Sequence, residues 1–480
     1  MLTNELIELA GQVIAQNAEA QTIEVKAAHE GCPKSLYDTL SSFSNQDSGG
    51  IILFGLDEKS GFAPVGVYDL QDLQQDVTDQ CNQMVPPVRA IFTCAEYQGV
   101  HICAAEIPSI DVSERPCYYG GKGRQRGSYI RVGSNDIPMS DYEIYSYEAY
   151  RKHFQDDVRS VDRARIDLLD QDSLGIYIHE KKKDKPQFSQ FSQEQVYEAL
   201  NITRDDAVTL AAFMMFSPYP QGFFPQLGIT AVVVPGTELG DTDADGARFT
   251  NNKRIEGSIP AMFTEAMSFC SRNMRVKTII DKNTGARRDV PEYPITAIRE
   301  LLLNALMHRD YSVHTEGTPI QICFFSDRLE IHSPGGLYGR LTVDQLGHCS
   351  PDSRNPALIT MAEVITETEN RFSGIPTIRK VMREAGLPQP EFQNRRNEFV
   401  AILYNGQAVE SAVEQEETCA TSDLLQFCQT PRSREEIAAF LGLKTISHVT
   451  NRYINPLLES GALKPTIPGK PRSKNQKYYS

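Results

Sequence analysis

Residues 299–311, Arg-Glu-Leu-Leu-Leu-Asn-Ala-Leu-Met-His-Arg-Asp-Tyr, form the most distinctive string in the sequence. Its apolar residues recur with helical spacing, and Glu300, Asn304 and His308 follow at intervals of four, so they share one face of the predicted helix. A carboxylate, an amide and an imidazole on one face can polarise water and coordinate magnesium. A solvated polar face of an amphipathic helix has the same spacing, so the pattern alone leaves both interpretations open.

The alternation of predicted helices and strands indicates a mixed α/β (α+β) protein. With 480 residues the chain is long enough for roughly three domains. We predict an α/β domain, a charged connector, a second α/β domain, an acidic linker and a small final domain, over residues 1–150, 151–200, 201–404, 405–420 and 421–480 respectively.

Composition restricts the cellular setting and the partners. A net charge of −15 argues against a generally basic surface but allows local basic patches. The ten cysteines are scattered without CxxC pairs or zinc-finger spacing, which indicates a reducing, cytoplasmic environment. No apolar run approaches the ~20 residues that span a bilayer, and the acidic N-terminus does not resemble a signal peptide, so we expect no membrane partner.

Three carboxylates of the first domain, Glu19, Glu24 and Asp57, are candidate catalytic and metal-binding residues. Lys26 follows Glu24 by two positions and shares its strand face. The strand, helix, strand order could return Asp57 to the side of Glu24. Carboxylates with a lysine can hold a divalent metal and stabilise a phosphoryl transition state. Acidic residues near strand ends are also commonly solvated, and spacing does not separate the two interpretations.

The amino-acid sequence around these carboxylates is more informative than their spacing. It resembles the Schlafen-like, Alba-type domain family over about residues 15–140, through the stretches 19–26, 41–45, 49–57, 115–119 and 127–134. The resemblance implies a Schlafen-like α/β domain that binds nucleic acid. Some eukaryotic members are metal-dependent endoribonucleases, and their acidic triad would fall on Glu19, Glu24 and Asp57. Bacterial members are usually described as DNA-binding or regulatory proteins.

The glycine-rich segment Gly120–Gly127 is predicted to be a flexible loop at a basic patch. The segment contains Lys122, Arg124 and Arg126, and Arg131 follows it. Cations and exposed backbone amides suit contacts with phosphates. Neighbouring tyrosines could stack on nucleobases, namely Tyr118, Tyr119 and Tyr129. The alternative is a solvated hairpin tip whose tyrosines belong to the core.

The string 299–311 is similar to the N-box of the gyrase, histidine-kinase and MutL (GHKL) ATPase class, and more closely to the C-terminal domain of RecG-related, ATP-binding proteins. Residues 327–337, 353–356 and 373–376 extend the resemblance over roughly residues 200–402. It implies a GHKL-like α/β sandwich that binds ATP and magnesium. Asn304 would bind magnesium, and Glu300 would be the general base in hydrolysing members. The implied nucleotide-binding positions are Asn304, His308, Gly335, Gly336, Ser373 and Gly374.

Two departures indicate a degenerate ATP-binding module. The turn Ser333-Pro334-Gly335-Gly336 lacks the aspartate with which the class recognises adenine. Phe372 stands where a glycine usually precedes Ser-Gly, and a bulky side chain there would obstruct a close approach of phosphate to the backbone. The alternative is a retained fold that packs, dimerises or senses another ligand.

The last 60 residues predict a winged helix. Ser433 and Glu436 form a capping box, and two helices precede the strands 462–467 and 476–479. Residues 421–480 contain nine Lys/Arg and four Asp/Glu, a balance of +5. The predicted DNA contacts are Lys444, Ser447, Asn451, Arg452, Lys470, Arg472, Lys474 and Lys477. A winged helix can also dock proteins, and regulators of this type are often homodimers.

Together these features predict a nucleic-acid-binding, DNA-contacting transcriptional regulator or defence-type protein with a degenerate ATP-binding module. One alternative is a metal-dependent endoribonuclease acting through the three N-terminal carboxylates. Another is a GHKL-type ATPase. The expected partners are DNA or RNA and a second copy of the chain.

Overall fold

The computed structural model describes residues 1–280, 287–349, 352–365, 373–406, 424–440, 449, 453–459, 462–466 and 476–480. Over these residues the protein mixes helices with several separate sheets, which confirms the predicted α+β class. Within the same ranges, no helix combines the length and apolar character needed to cross a membrane.

The N-terminal unit comprises fifteen helices and strands. They are α1 (Thr3–Gln16), β1 (Ile23–Lys26), α2 (Tyr37–Asn45), β2 (Gly50–Phe54), β3 (Leu56–Asp57), β4 (Ala63–Pro64), α3 (Leu70–Asn82), β5 (Met84–Val85), β6 (Ile91–Tyr97), β7 (Val100–Ile107), β8 (Tyr118–Tyr119), α4 (Gly123–Gly127), β9 (Tyr129–Val132), β10 (Asn135–Pro138) and α5 (Asp141–Arg151).

A four-stranded sheet of order β1-β2-β7-β6 organises this unit, with β1 and β2 parallel and the other neighbours antiparallel. Side chains alternate between the faces of a strand, and β2 is buried on both. Leu53 packs with residues of α1, whereas Ile52 and Phe54 pack with residues of α2 and α3. The sheet is therefore the middle of three layers.

The central unit follows. Its elements are α6 (Gln171–Asp184), α7 (Gln193–Ala199), β11 (Thr203–Arg204), β12 (Ala207–Val208), α8 (Leu210–Phe216), β13 (Ile229–Val233), β14 (Asn251–Ile255), α9 (Ile259–Asn273), β15 (Val276–Ile280), β16 (Arg287–Pro291), α10 (Ile295–His308), β17 (Ile320–Phe324), β18 (Arg328–Pro334), α11 (Pro356–Ile365), α12 (Gly374–Glu384), β19 (Glu391–Asn394) and β20 (Glu398–Tyr404).

Six of these strands form a sheet of order β14-β13-β17-β18-β20-β19, in which only β13 and β17 are parallel among the described strand pairs. Helices α9, α10 and α12 pack together, α9 against β13 and α10 against β18. The apolar face of α10, which includes Ile298, Leu302 and Leu306, is buried in the largest core of the molecule.

Residues 151–200, which we interpret as a connector from their charge, also contribute to this core. Leu174 and Tyr177 on α6 are each 1% exposed, and Val196 on α7 is equally buried. The lysines of α6 stand near its C-terminal end, where cations interact favourably with the helix dipole. The charged run therefore occupies only part of a helix whose other residues are packed.

The C-terminal unit contains β21 (Arg432–Ser433), α13 (Arg434–Phe440), α14 (Asn455–Glu459), β22 (Lys464–Pro465) and β23 (Lys477–Tyr479). The strands form an antiparallel sheet of order β21-β23-β22. The backbone N–H of Ser433 donates to Glu436 at 2.7 Å, and that of Glu436 donates to the Ser433 hydroxyl at 3.2 Å. This reciprocal pair is the predicted capping box.

Candidate functional site

A cavity of about 200 Å³ lies between α10, the end of β18 and the start of α12. All seven residues that the ATPase resemblance singles out line it: Glu300, Asn304, His308, Gly335, Gly336, Ser373 and Gly374. They come from three separate segments of the chain. Phe372, the predicted obstruction, lies outside the described residues.

The glycine turn after β18 reaches the pocket because Gly335 has no side chain. Its φ of +94° lies in the left-handed region. A Cβ atom there would lie 2.4 Å from the Arg354 guanidinium and 2.5 Å from Cβ of Asp310. Any larger residue would therefore separate the turn from the end of α10.

Gly374, the first residue of α12, covers the polar face of α10. A Cβ atom on Gly374 would lie 3.1 Å from a Glu300 carboxylate oxygen and 3.5 Å from the Asn304 amide nitrogen. The space that a side chain would fill thus opens between a helix N-terminus and two oxygen-bearing side chains. A helix N-terminus favours anions, and carboxylate and amide oxygens are ligands that Mg²⁺ accepts.

Arg354 supplies a positive charge to the pocket wall, and the sequence did not single it out as a site residue. It is 5% exposed, lies 3.3 Å from the Asp310 carboxylate, and donates to the Gly336 carbonyl at 3.2 Å. The guanidinium atom that faces Asp310 is Nη1, so this nitrogen belongs to the ion pair. A buried guanidinium in the wall of a pocket is suited to an anionic ligand such as a phosphate.

Asn355 fixes this arginine relative to α10. Its side-chain amide donates to the carbonyls of Met307 at 2.9 Å and Arg309 at 2.8 Å. It therefore satisfies backbone acceptors that the end of a helix leaves without partners. The stretch Ser353-Arg354-Asn355-Pro356, which belongs to the ATPase resemblance, was the feature of the sequence that pointed to both residues.

His308 opens onto the same pocket. Its side chain is exposed to solvent there, yet desolvation by the surrounding protein and the positive charge of Arg354 lower its pKa from the usual value. A neutral imidazole offers one donor and one acceptor. His308 can therefore hydrogen-bond a ligand near pH 7 without contributing a charge.

The three predicted N-terminal carboxylates are not joined into one cluster. Glu24 pairs with Lys26 and, at 2.8 Å, with Arg131, and Glu19 lies 3.6 Å from the same guanidinium. The oxygens of Asp57 instead accept hydrogen bonds from Ser60 and from the Lys59 backbone. Across the described residues no group of three or more His, Cys, Asp or Glu side chains could hold a metal ion.

The pKa values of Glu19 and Asp57 are shifted in opposite directions by their surroundings. Burial raises the pKa of Glu19, although the hydrogen bond that it accepts from the Val25 backbone opposes this shift. The hydrogen bond from Ser60 lowers the pKa of Asp57 at the surface. Both Glu19 and Glu24 face the side chain of Arg131, and Glu24 also pairs with Lys26.

Arg131, predicted to contact phosphates, is a buried side chain with 1% of its area exposed. Besides Glu24 it pairs with Asp136 at 3.1 Å and donates to the Ile23 carbonyl at 3.2 Å. Its guanidinium lies inside the N-terminal unit because it neutralises buried carboxylates. Direct contact with a polynucleotide is excluded in this conformation.

The basic residues within the Gly120–Gly127 segment lie nearer the surface than Arg131. Lys122 lies 3.2 Å from Asp38 and is 42% exposed, and Arg124 pairs with Glu148. Arg126 is exposed and has no ion pair within the described part of the chain. The pair of Lys122 is exposed and contributes little energy, so a phosphate can compete for Lys122, whereas Arg124 and Glu148 are half-buried. A flexible loop was predicted here, but residues Gly123–Gly127 form a helical turn that those tertiary contacts hold.

The predicted DNA contacts of the C-terminal unit are only partly described. Lys477 is exposed on β23. The others lie outside the described residues: Lys444, Ser447, Asn451, Arg452, Lys470, Arg472 and Lys474.

Comparison with known families matches three segments of the chain. Residues 19–140 match the family model described as "Schlafen, AlbA_2". Residues 317–403 match "Putative ATP-dependent DNA helicase recG C-terminal", which covers the pocket except for α10. Both predicted resemblances are confirmed. Residues 421–479 match "Filamentation induced by cAMP protein Fic-like, C-terminal domain".

Solved structures give weaker similarities. The DIP2311 protein of Corynebacterium diphtheriae is 17% identical, with 95% of this chain and 93% of that one covered at a TM-score of 0.41. The N-terminal domain of a RecG-related protein of Nitrosomonas europaea is 28% identical, with 28% and 93% covered at a TM-score of 0.23. Neither is close enough to indicate a function. No curated protein matches the chain.

Proposed function

We propose that this protein binds nucleic acid and carries a pocket for a nucleoside triphosphate, with ATP and magnesium as the expected ligands. One observation supports this above all. The side chains and glycines named by the ATPase resemblance converge on a single cavity, together with the buried cation Arg354.

The pocket residues suit a nucleotide with its metal. Glu300 and Asn304 would hold magnesium, and the N-terminus of α12 with Arg354 would hold phosphate oxygens. Bound magnesium would neutralise phosphate charge. The buried guanidinium of Arg354 suits an anionic group, and the Glu300 and Asn304 side chains face the backbone of Gly374. The Glu300 carboxylate already lies 3.2 Å from Arg299, which weakens it as a general base, so we propose binding rather than rapid hydrolysis.

Native co-purification tests the proposal directly. The full chain is purified without nucleotide, denatured, and the released small molecules are separated by chromatography. We expect an adenine nucleotide in the wild-type sample and much less in a Gly374→Val sample. Absence of any nucleotide, together with failure to bind added ATP, would contradict the proposal.

We further propose that the C-terminal unit is a winged helix that contacts DNA, as in a transcriptional regulator or defence-type protein. The +5 charge balance of residues 421–480 in an acidic chain supports this. We do not favour the endoribonuclease alternative, because Arg131 neutralises Glu24 where a metal would be needed.

Charge reversal provides the test. Gel-shift titration with duplex DNA at low salt compares the wild type with a triple variant, Lys470→Glu, Arg472→Glu and Lys474→Glu. The matched control reverses Lys181, Lys182 and Lys183 on α6, which changes the net charge equally. We expect a weaker shift and a smaller salt dependence only for the first variant. Equal behaviour of both variants would exclude Lys470, Arg472 and Lys474 as the DNA contacts.

A further inference from the structure

Helix α5 touches both candidate ligand sites. It leaves the N-terminal unit after β10 and lies against the rim of the pocket. The hydroxyl of Tyr142 donates to Asp310 at 2.8 Å, and Asp310 in turn pairs with Arg354 at 3.3 Å. The hydroxyl of Tyr150 donates to Asp352, a residue of the pocket wall, at 3.0 Å.

Packing fixes the α5 side chains that face the pocket. The ring of Tyr150 meets the ring of Tyr338 edge to face, with centroids 5.4 Å apart. Tyr338 lines the pocket and lies under the Arg354 guanidinium at 5.1 Å. Asp310 is 3% exposed and also accepts from the Ser312 backbone at 2.8 Å. A shift of α5 would therefore move the groups that flank the pocket's cation.

The opposite side of α5 contacts the Gly120–Gly127 segment. Arg124 pairs with Glu148 of the helix, and Gln125 donates to Asp141 at its first turn. These bonds hold the short turn that carries the exposed Arg126. One helix thus joins the candidate nucleic-acid segment to the candidate nucleotide pocket through side-chain bonds on two of its faces.

A second link runs beside the helix. Arg340, in the loop that follows the glycine turn, forms two contacts of 3.2 Å with Asp111 of the N-terminal unit. Arg396, before β20, pairs with Glu143 of α5 at 2.7 and 2.8 Å. Since the pocket loop and α5 are both tied across the junction, the two units are expected to move together.

We infer that α5 couples nucleotide occupancy of the pocket to nucleic-acid affinity of the Gly120–Gly127 segment, with Tyr142 and Tyr150 as positioning residues. This inference rests on the proposed function, since both ligands must bind. A bound phosphate competes with Asp310 for Arg354 and so alters the acceptor of Tyr142. By linkage, the effect of nucleotide on nucleic-acid affinity equals the reverse effect.

The experiment measures both affinities on the full chain. A fluorescein-labelled duplex DNA is titrated by anisotropy with and without saturating ATP and magnesium. A fluorescent ATP analogue with magnesium is titrated with and without the DNA. We expect the wild type to show a change of about fivefold or more, equal in the two directions. Tyr142→Phe and Tyr150→Phe should still bind each ligand, with the coupling reduced towards one.

The control and a second variant separate coupling from general damage. Tyr219→Phe removes the hydroxyl of an exposed tyrosine that bonds Glu256 away from α5, and should retain wild-type coupling. Glu148→Gln should reduce coupling by weakening the contact of α5 with Arg124 of the Gly120–Gly127 segment. If wild type binds both ligands independently, or if the α5 variants couple as wild type does, the inference is overturned while the proposed function stands. Failure of the wild type to bind nucleotide would overturn both.

Discussion

The guanidinium of Arg131 lies 2.8 Å from the carboxylate of Glu24, inside the N-terminal unit. The two residues belong to different predicted sites, a phosphate-binding patch and a catalytic triad. Their pairing makes each a structural partner of the other. Because both are buried, the energetic consequence of removing either one is large.

Replacing Arg131 should destabilise the fold rather than only weaken nucleic-acid binding. Arg131→Met leaves Glu24 with Lys26 as its remaining cation and leaves Asp136 without its ion pair to Arg131, which costs about 3 to 5 kcal/mol in the free energy of unfolding. Urea denaturation of the full chain measures this. Arg126→Met, an exposed neighbour, should change stability by less than about 0.5 kcal/mol. Similar small effects of both substitutions would show that the Arg131 cluster is unimportant for folding.

The same pairing predicts the result of a nuclease assay. Wild type and Glu24→Gln should show equal, background cleavage of RNA with manganese, since Arg131 already neutralises the carboxylate that a metal would need. Products are resolved on a denaturing gel. Manganese-dependent cleavage by the wild type that Glu24→Gln abolishes would restore the endoribonuclease interpretation.

Asp157 should make stability depend on pH. It is buried, caps the N-terminus of α11 by accepting from Ala357 and Leu358 at 2.9 and 3.0 Å, and burial raises its pKa from 3.8 to about 6. A carboxyl group with a raised folded-state pKa favours the folded state at low pH. That contribution is lost as the pH rises through about 4 to 6.

Asp157→Asn removes this titration. The stability of the variant relative to wild type should therefore increase by on the order of 3 kcal/mol between pH 4 and pH 7. Chemical denaturation at each pH gives the difference directly. A difference that stays constant over this range would show that Asp157 titrates normally in the folded protein.

The sequence predicted regular elements well where hydrophobic spacing was clear. Residues 299–308 of the string with helical spacing lie in α10, and the strand predicted at 476–479 corresponds to β23. Gly120–Gly127 differs because its turn is stabilised by Asp38 and Glu148, which are distant in the chain. Local glycine content predicts flexibility and contains no information about such partners.

The buried polar residues of the Schlafen-like motif show a similar limit. Asn45 donates to the carbonyls of Cys117 and Tyr129 and accepts from the Cys117 backbone, so it joins α2 to two later segments. Resemblance identified the motif, but only the fold shows that this residue satisfies buried backbone groups. Likewise, the role of Arg354 depends on Asp310 and Tyr142, and no local pattern predicts their meeting.

Calorimetric titration of ATP with magnesium into the full chain tests the central claim most directly. Wild type should bind one ATP per chain, and Gly374→Val should abolish binding because the side chain fills the gap opposite Glu300 and Asn304. Gly175→Val, at an open and exposed position on α6, is the matched control and should bind normally. A wild type that binds no ATP, or a Gly374→Val variant that binds it equally well, would contradict the account.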